Sequence, residues 1–199
     1  GQWQGMGRAL LAQLPAFAAV VAAGEAAFAE HTDLPLRAAL VGDHFVAPDR
    51  PDAIQPLLYT LALALVAAWS DLGIKPTAVV GHSMGEVAAA VVAGALTLEH
   101  GARIVAHRGK LLSSLADPGD IAHVELPEPE ARRRISAWGD ALCVAGVNAP
   151  GATIVAGDPA ALAALLAALR AESIFCRRIA MGYASHSRHV DPILAPLAE

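Results

Sequence analysis

Charge is scarce in this chain and nowhere concentrated: 17% of the 199 residues are Asp, Glu, Lys or Arg, and no dense Lys/Arg stripe is present. Phosphate binding needs clustered basic groups, so a chain of net charge -5 without them is not expected to take a nucleic-acid partner. The one basic cluster, Arg132-Arg133-Arg134, reads as the solvated face of a helix. Cysteine is equally sparse. Cys143 and Cys176 lie in apolar, strand-like runs without metal-ligand spacing, which predicts small core residues in a reducing compartment, the cytoplasm, and no metal site. Apolar runs are broken or short. Residues 9–23 are interrupted by Gln13 and Pro15, and Leu57 to Trp69 is too short to span a bilayer and carries Tyr59 and Thr60, so a buried helix and no membrane segment is expected there. Internal repeats and low-complexity linkers are lacking too.

What is abundant is apolar surface. A 55% hydrophobic composition at this length suits one domain, or one domain with an insertion. Its most informative segment is Gly81-His82-Ser83-Met84-Gly85-Glu86, set after the run Ala78-Val79-Val80 and before the helix-forming stretch Val87 to Ala93. The pattern predicts a strand, a sharp turn with a serine at its apex, and a helix: a nucleophile elbow, with small residues two positions either side of Ser83. The amide of Met84 at the start of that helix would face the oxygen of a tetrahedral intermediate, where the helix dipole favours negative charge. Acyl transfer through Ser83 is the chemistry this layout serves.

Upstream, the stripe Leu10, Leu14, Phe17 and Val21 predicts one N-terminal helix, and Val46 to Pro51 an exposed connector. A long helix follows with a stripe at Ile54, Leu58, Leu61 and Leu65, ended by Gly73 and Pro76. Thr97 is a candidate N-cap for a helix reaching about Leu115. Beyond Gly119 the pattern becomes strand 121–126, helix 128–138, strand 142–147, strand 153–156, helix 159–171 and strand 174–179, the β-α-β-β-α-β order of a ferredoxin-like unit.

The helix after Thr97 places Arg108 on a stripe with Ile104, Leu111 and Leu115. A guanidinium on a buried stripe must meet an anion. Either Glu86 forms a structural ion pair with it, or a substrate carboxylate is gripped by its fork of donors. Near the other end, Gly182-Tyr183-Ala184-Ser185-His186-Ser187 supplies a histidine in a loop of small residues, the candidate base. His31, His44, His100, His107, His123 and His189 sit in surface-like or unpatterned contexts, and His82 is read as lining the pocket.

Together these residues resemble the malonyl-CoA:acyl-carrier-protein transacylase family, most of all the acyltransferase domain of polyketide synthases. The resemblance rests on Gln2-Trp3 with Gly5-Met6-Gly7-Arg8, Gln55-Pro56, the elbow, Arg108, Asn148-Ala149-Pro150-Gly151 with Gly157-Asp158, and Tyr183-Ala184-Ser185-His186. It implies Ser83 as acylated nucleophile, His186 as general base and acid, Arg108 as the binder of the extender's free carboxylate and Gln55 as a lining residue. It implies acyl-CoA as substrate, a carrier protein's phosphopantetheine thiol as acceptor, neighbouring synthase domains as partners, and no metal or redox cofactor. Tyr183 to His186 is similar to methylmalonyl-type rather than malonyl-type domains, Ser185 leaving space at the substrate's C2; Met84 stands where many such sequences have glutamine.

The fold class so implied is α/β: a hydrolase-like core with a parallel sheet and nucleophile elbow, residues 1–119 and 181–199, plus an inserted ferredoxin-like subdomain, residues 120–180. Relative to the family the chain looks truncated at both ends, its first strand and oxyanion-hole glutamine falling before Gln2. Two other readings stay open on the residues. One is an α/β-hydrolase-like esterase or thioesterase with Asp158 as acid, and the other a non-catalytic fragment of a polyketide synthase.

Overall fold

A computed structural model describes residues 2–198, and the chain divides into two units, Gly1–Ser113 and Ser114–Glu199. The first is helical: α1 (Arg8–Gln13), α2 (Pro15–Phe28), α3 (Leu36–Val41), α4 (Pro51–Asp71), α5 (Gly85–Val92) and α6 (Leu98–Ser113). The single N-terminal helix read from the sequence is two helices. Leu14, the residue before Pro15, is pushed into an extended conformation, and Pro15 starts α2 at a position where its missing amide costs nothing.

The core of this unit forms around α4. Ile54, Leu57, Tyr59 and Leu63 are buried with Phe17, Val21 and Phe28 of α2, Leu36 and Leu40 of α3, and Ala102 and Val105 of α6. The helix is longer than its apolar run predicts, 21 residues, and long and apolar enough to cross a membrane, but half of its most apolar window is buried inside the unit. That burial is the behaviour of a core helix. Tyr59 anchors it, its hydroxyl donating to Leu98 O at 2.8 Å while its ring meets Phe28 edge-on at 5.9 Å. Thr97 caps α6 as predicted, its Oγ1 accepting from the His100 amide at 3.1 Å.

The predicted strand at Ala78 to Val80 does not form, and this corrects the expected parallel sheet. Residues 79–82 carry no regular structure, and Val80 is 94% exposed. A strand exists only through a neighbouring ladder, and no strand pairs with this segment among the described residues.

In the second unit the elements are β1 (Asp120–Val124), α7 (Glu128–Ile135), a 3₁₀ segment (Ser136–Ala141), β2 (Leu142–Ala149), β3 (Ala152–Gly157), α8 (Pro159–Ala171) and β4 (Cys176–Arg178). The sheet order is β2-β3-β1-β4 with every pairing antiparallel, the ferredoxin-like arrangement. One face packs Ala122, Val124 and Val155 against Ala131 and Ile135 of α7 and Leu162, Leu165, Leu166 and Leu169 of α8. The opposite face packs Ile121, Ile154 and Ala156 under Ile179, Met181 and Ala184. The segment leaving β4 therefore folds back over the sheet, and this covering places residues 183–189. A further 3₁₀ segment (Arg188–Ile193) and α9 (Leu194–Leu197) follow.

Candidate active site

Ser83 occupies the left-handed region at φ 53°, an unusual backbone for a residue with a side chain. The turn is set locally. A Cβ at Gly81 would collide with the Cα and N of Glu86, so only glycine lets the chain fold this closely against the start of α5. Gly85 differs: a Cβ there would meet nothing within 4 Å, so its smallness is not a steric requirement, contrary to the symmetric sequence reading. The amides of Gly85, Glu86 and Val87 donate to the carbonyls of His82, Ser83 and Met84 at 3.0, 3.0 and 3.1 Å. Met84 is the N-cap of α5, its side chain packed on the unit's core, and this leaves its amide at the positive end of the helix. His82 is exposed and Ser83 half-buried.

Arg108 and Gln55 are brought together. Arg108 Nη1 donates to Gln55 Oε1 at 2.6 Å, from α6 to a buried position on α4. Two expectations are corrected here. Glu86 is exposed and is not the partner; among the described residues no carboxylate forms an ion pair with Arg108. The buried face of α6 is Gly101, Ala102, Val105, Ala106, Gly109 and Leu112, while Ile104 is 37% exposed, so Arg108 lies half-buried at the flank of the stripe rather than on it. A neutral amide fixes the guanidinium without neutralising it, which leaves its charge available to an anion.

In the second unit, Tyr183, Ala184 and Ser185 are buried, and exposed His186 holds φ 58°, again left-handed. Ala184 N donates to Pro118 O at 2.5 Å, and Ser187 Oγ donates to Ala184 O at 2.7 Å. Cys143, whose thiol burial pushes up, donates from Sγ to His186 O at 3.7 Å. Asp158, the acid of the esterase reading, is engaged elsewhere: its Oδ1 lies 2.9 Å from His189 Nε2 and 2.6 Å from Arg188 Nη2. His189 is the residue sequence reasoning missed. It is buried, not surface-like, and its polar neighbours Ser185, Ser187 and Arg188 make no apolar period that would mark it in the sequence.

The acyl transferase domain family model matches residues 1–199. Polyketide synthase GfsE of Streptomyces halstedii is 43% identical over 198 residues, which take in 100% of this chain and 5% of that protein. Among solved structures, the loading acyltransferase from the avermectin modular polyketide synthase superposes with a TM-score of 0.91 at 38% identity, covering 96% of this chain and 62% of that one. The acyltransferase domain from module 8 of the salinomycin polyketide synthase gives 0.90 at 43% identity, covering 98% and 46%. The chain thus spans a small part of the synthase it matches and about half to two thirds of these two solved chains. A serine elbow, an arginine held by a glutamine and a Tyr-Ala-Ser-His loop, within a family match over the whole length, place this chain in the acyl transferase domain family, with polyketide synthases among its relatives.

Proposed function

We propose that the chain transfers a malonyl-type group, methylmalonyl in preference to malonyl, from coenzyme A to the phosphopantetheine thiol of an acyl carrier protein, through an ester on Ser83. The observation that carries it is the elbow: Ser83 is held in a left-handed turn at the start of α5, where an oxyanion beside the Met84 amide is favoured. In the first half-reaction His186 takes the Ser83 proton as Oγ attacks the thioester carbonyl. The C–S bond then breaks, His186 returns the proton to the coenzyme A thiolate, and a seryl ester remains. In the second, His186 deprotonates the phosphopantetheine thiol, whose sulfur attacks the ester, and Ser83 leaves with that proton.

Arg108 binds the free carboxylate of the acyl group, with Gln55 fixing the fork that grips it. Anchoring both ends of so small a substrate favours a positioned thiol over random water. His82 and Tyr183 line the site, and Ser185 is small enough to admit the methyl at C2, a preference of about 1 to 3 kcal/mol. In this reading residues 1–119 and 181–199 form the acyltransferase core and 120–180 the ferredoxin-like insertion. The chain works in the cytoplasm beside neighbouring synthase domains.

Intact-mass spectrometry after incubation with malonyl-, methylmalonyl- and acetyl-CoA tests this. A single adduct is expected, greatest with methylmalonyl-CoA, absent in Ser83→Ala and discharged by a phosphopantetheinylated carrier protein. Arg108→Ala is expected to lose about 10- to 100-fold in acylation by the two dicarboxylic thioesters while acetyl-CoA is little affected, the scale of one charge-assisted contact. A folded protein that gains no adduct from any of the three sinks the proposal.

A further inference from the structure

His189 is a buried titratable side chain for which the acyl-transfer chemistry has no use, yet it is among the most heavily tied residues of the second unit. Its Nε2 lies 2.9 Å from Asp158 Oδ1, and its Nδ1 lies 3.1 Å from Asp117 O and 3.4 Å from Asp117 Oδ2. Its own amide donates to Ser187 Oγ at 3.3 Å, and that hydroxyl in turn donates to Ala184 O. The ring also has a fitted seat. A Cβ on Gly119 would come within 2.8 Å of the His189 ring and 2.6 Å of Ala184 Cβ, and Gly119 itself is left-handed at φ 66°. Only glycine serves there on both counts.

These ties converge on one neighbour. His186 sits between Ala184, whose amide is fixed to Pro118, and Ser187, whose hydroxyl closes back on Ala184. A histidine held at positive φ relaxes unless its surroundings over-determine it. We infer that His189, braced between Asp158 and the Asp117–Gly119 segment, is a positioning residue that holds the His186 loop in its left-handed conformation and so aims the His186 imidazole. The inference rests on the reading of His186 as the base. It assigns no proton transfer to His189, whose ring nitrogens are both occupied by contacts within the unit.

The test is single-turnover acylation of the intact protein by methylmalonyl-CoA, followed by mass spectrometry across thioester concentration. His189→Ala is expected to acylate about 10- to 100-fold more slowly at saturation, the scale of a reacting group displaced by about an ångström, with the half-saturating concentration unchanged. His189→Gln, whose amide nitrogen takes the place of Nε2, is expected to recover part of that rate. A stabilising role alone would lower the melting temperature without this split. If His189→Ala does not fold, Asp158→Ala removes the Nε2 partner from a half-exposed position and is expected to show the same slower rate at unchanged half-saturation. A folded His189→Ala, or failing that Asp158→Ala, that acylates within about twofold of the parent overturns the inference. His186→Ala separates the two claims: it is expected to abolish acylation, and if it acylates normally the assignment of the base falls, whatever His189 does.

Discussion

Residues 78–81 of the first unit and β3 of the second carry similar sequence, Ala-Val-Val-Gly against Ala-Thr-Ile-Val-Ala-Gly, and they end in opposite states. β3 lies between β2 and β1, with Val155 fully buried beneath α8; Val80 is 94% exposed and pairs with nothing among the described residues. A β-branched apolar run permits a strand, but a ladder on either side and a covered face make one. The elbow forms all the same. The collision that excludes a Cβ at Gly81 and three turn hydrogen bonds lie within residues 81–87, and the turn is present although no strand precedes it among the described residues.

The sharpest way to break this contrast is within the elbow itself. Gly81→Ala must force the backbone of Glu86 aside, an overpacking cost of about 3 kcal/mol or more, and is expected to abolish Ser83 acylation. Gly85→Ala has open space and lies in the first turn of α5, so it is expected to be neutral or to stabilise by up to about 1 kcal/mol with acylation retained. Urea unfolding with intact-mass acylation reads both. Equal damage from the two substitutions would show that the turn is not fixed by local collision.

A smaller effect compares the two valine runs directly. Val155→Ala removes fully buried methyl groups beneath α8 and is expected to cost about 1 to 2 kcal/mol, whereas Val80→Ala, at a nearly fully exposed position, should stay within about 0.5 kcal/mol. A comparable loss of unfolding free energy in Val80→Ala would mean that residues 78–80 are packed in solution after all.

How much of this was legible follows from the same distinction between local and distant causes. The β-α-β-β-α-β order, the Thr97 cap and the turn at Ser83 are written in residues a few positions apart, and periodicity and turn chemistry find them. The face of α6 was misread because its buried side is built from Gly101, Ala102, Ala106 and Gly109, small residues that carry little weight in an apolar pattern, while Ile104 beside them stays partly exposed. The Gln55 to Arg108 bond joins residues 53 apart in sequence. The ring contacts of His189 reach Asp117 and Asp158, 72 and 31 positions away. No local pattern contains such pairs; they exist only once the helices and the sheet have packed.

The smallest expected effect probes that long-range brace through pH. Burial pushes the Asp158 carboxyl upward, but hydrogen bonds from His189 and Arg188 outweigh it and hold the group below the usual carboxylate range. A carboxylate depressed in the folded state contributes stability that is present above the unfolded pKa of about 4 and is lost as pH falls through the lower folded value. Asp52, Glu130 and Glu172 are depressed as well, so the acid limb of the parent protein alone cannot isolate Asp158. Subtraction does: Asp158→Asn keeps an oxygen for His189 but no charge, and shares every other carboxylate. The parent should have the higher urea midpoint at pH 6, with the gap narrowing as pH falls below about 4 toward the lower folded value. A parent with no higher midpoint than Asp158→Asn at pH 6 would mean that the Asp158 charge does not supply the brace, and that packing of the His189 ring against Gly119 holds the loop.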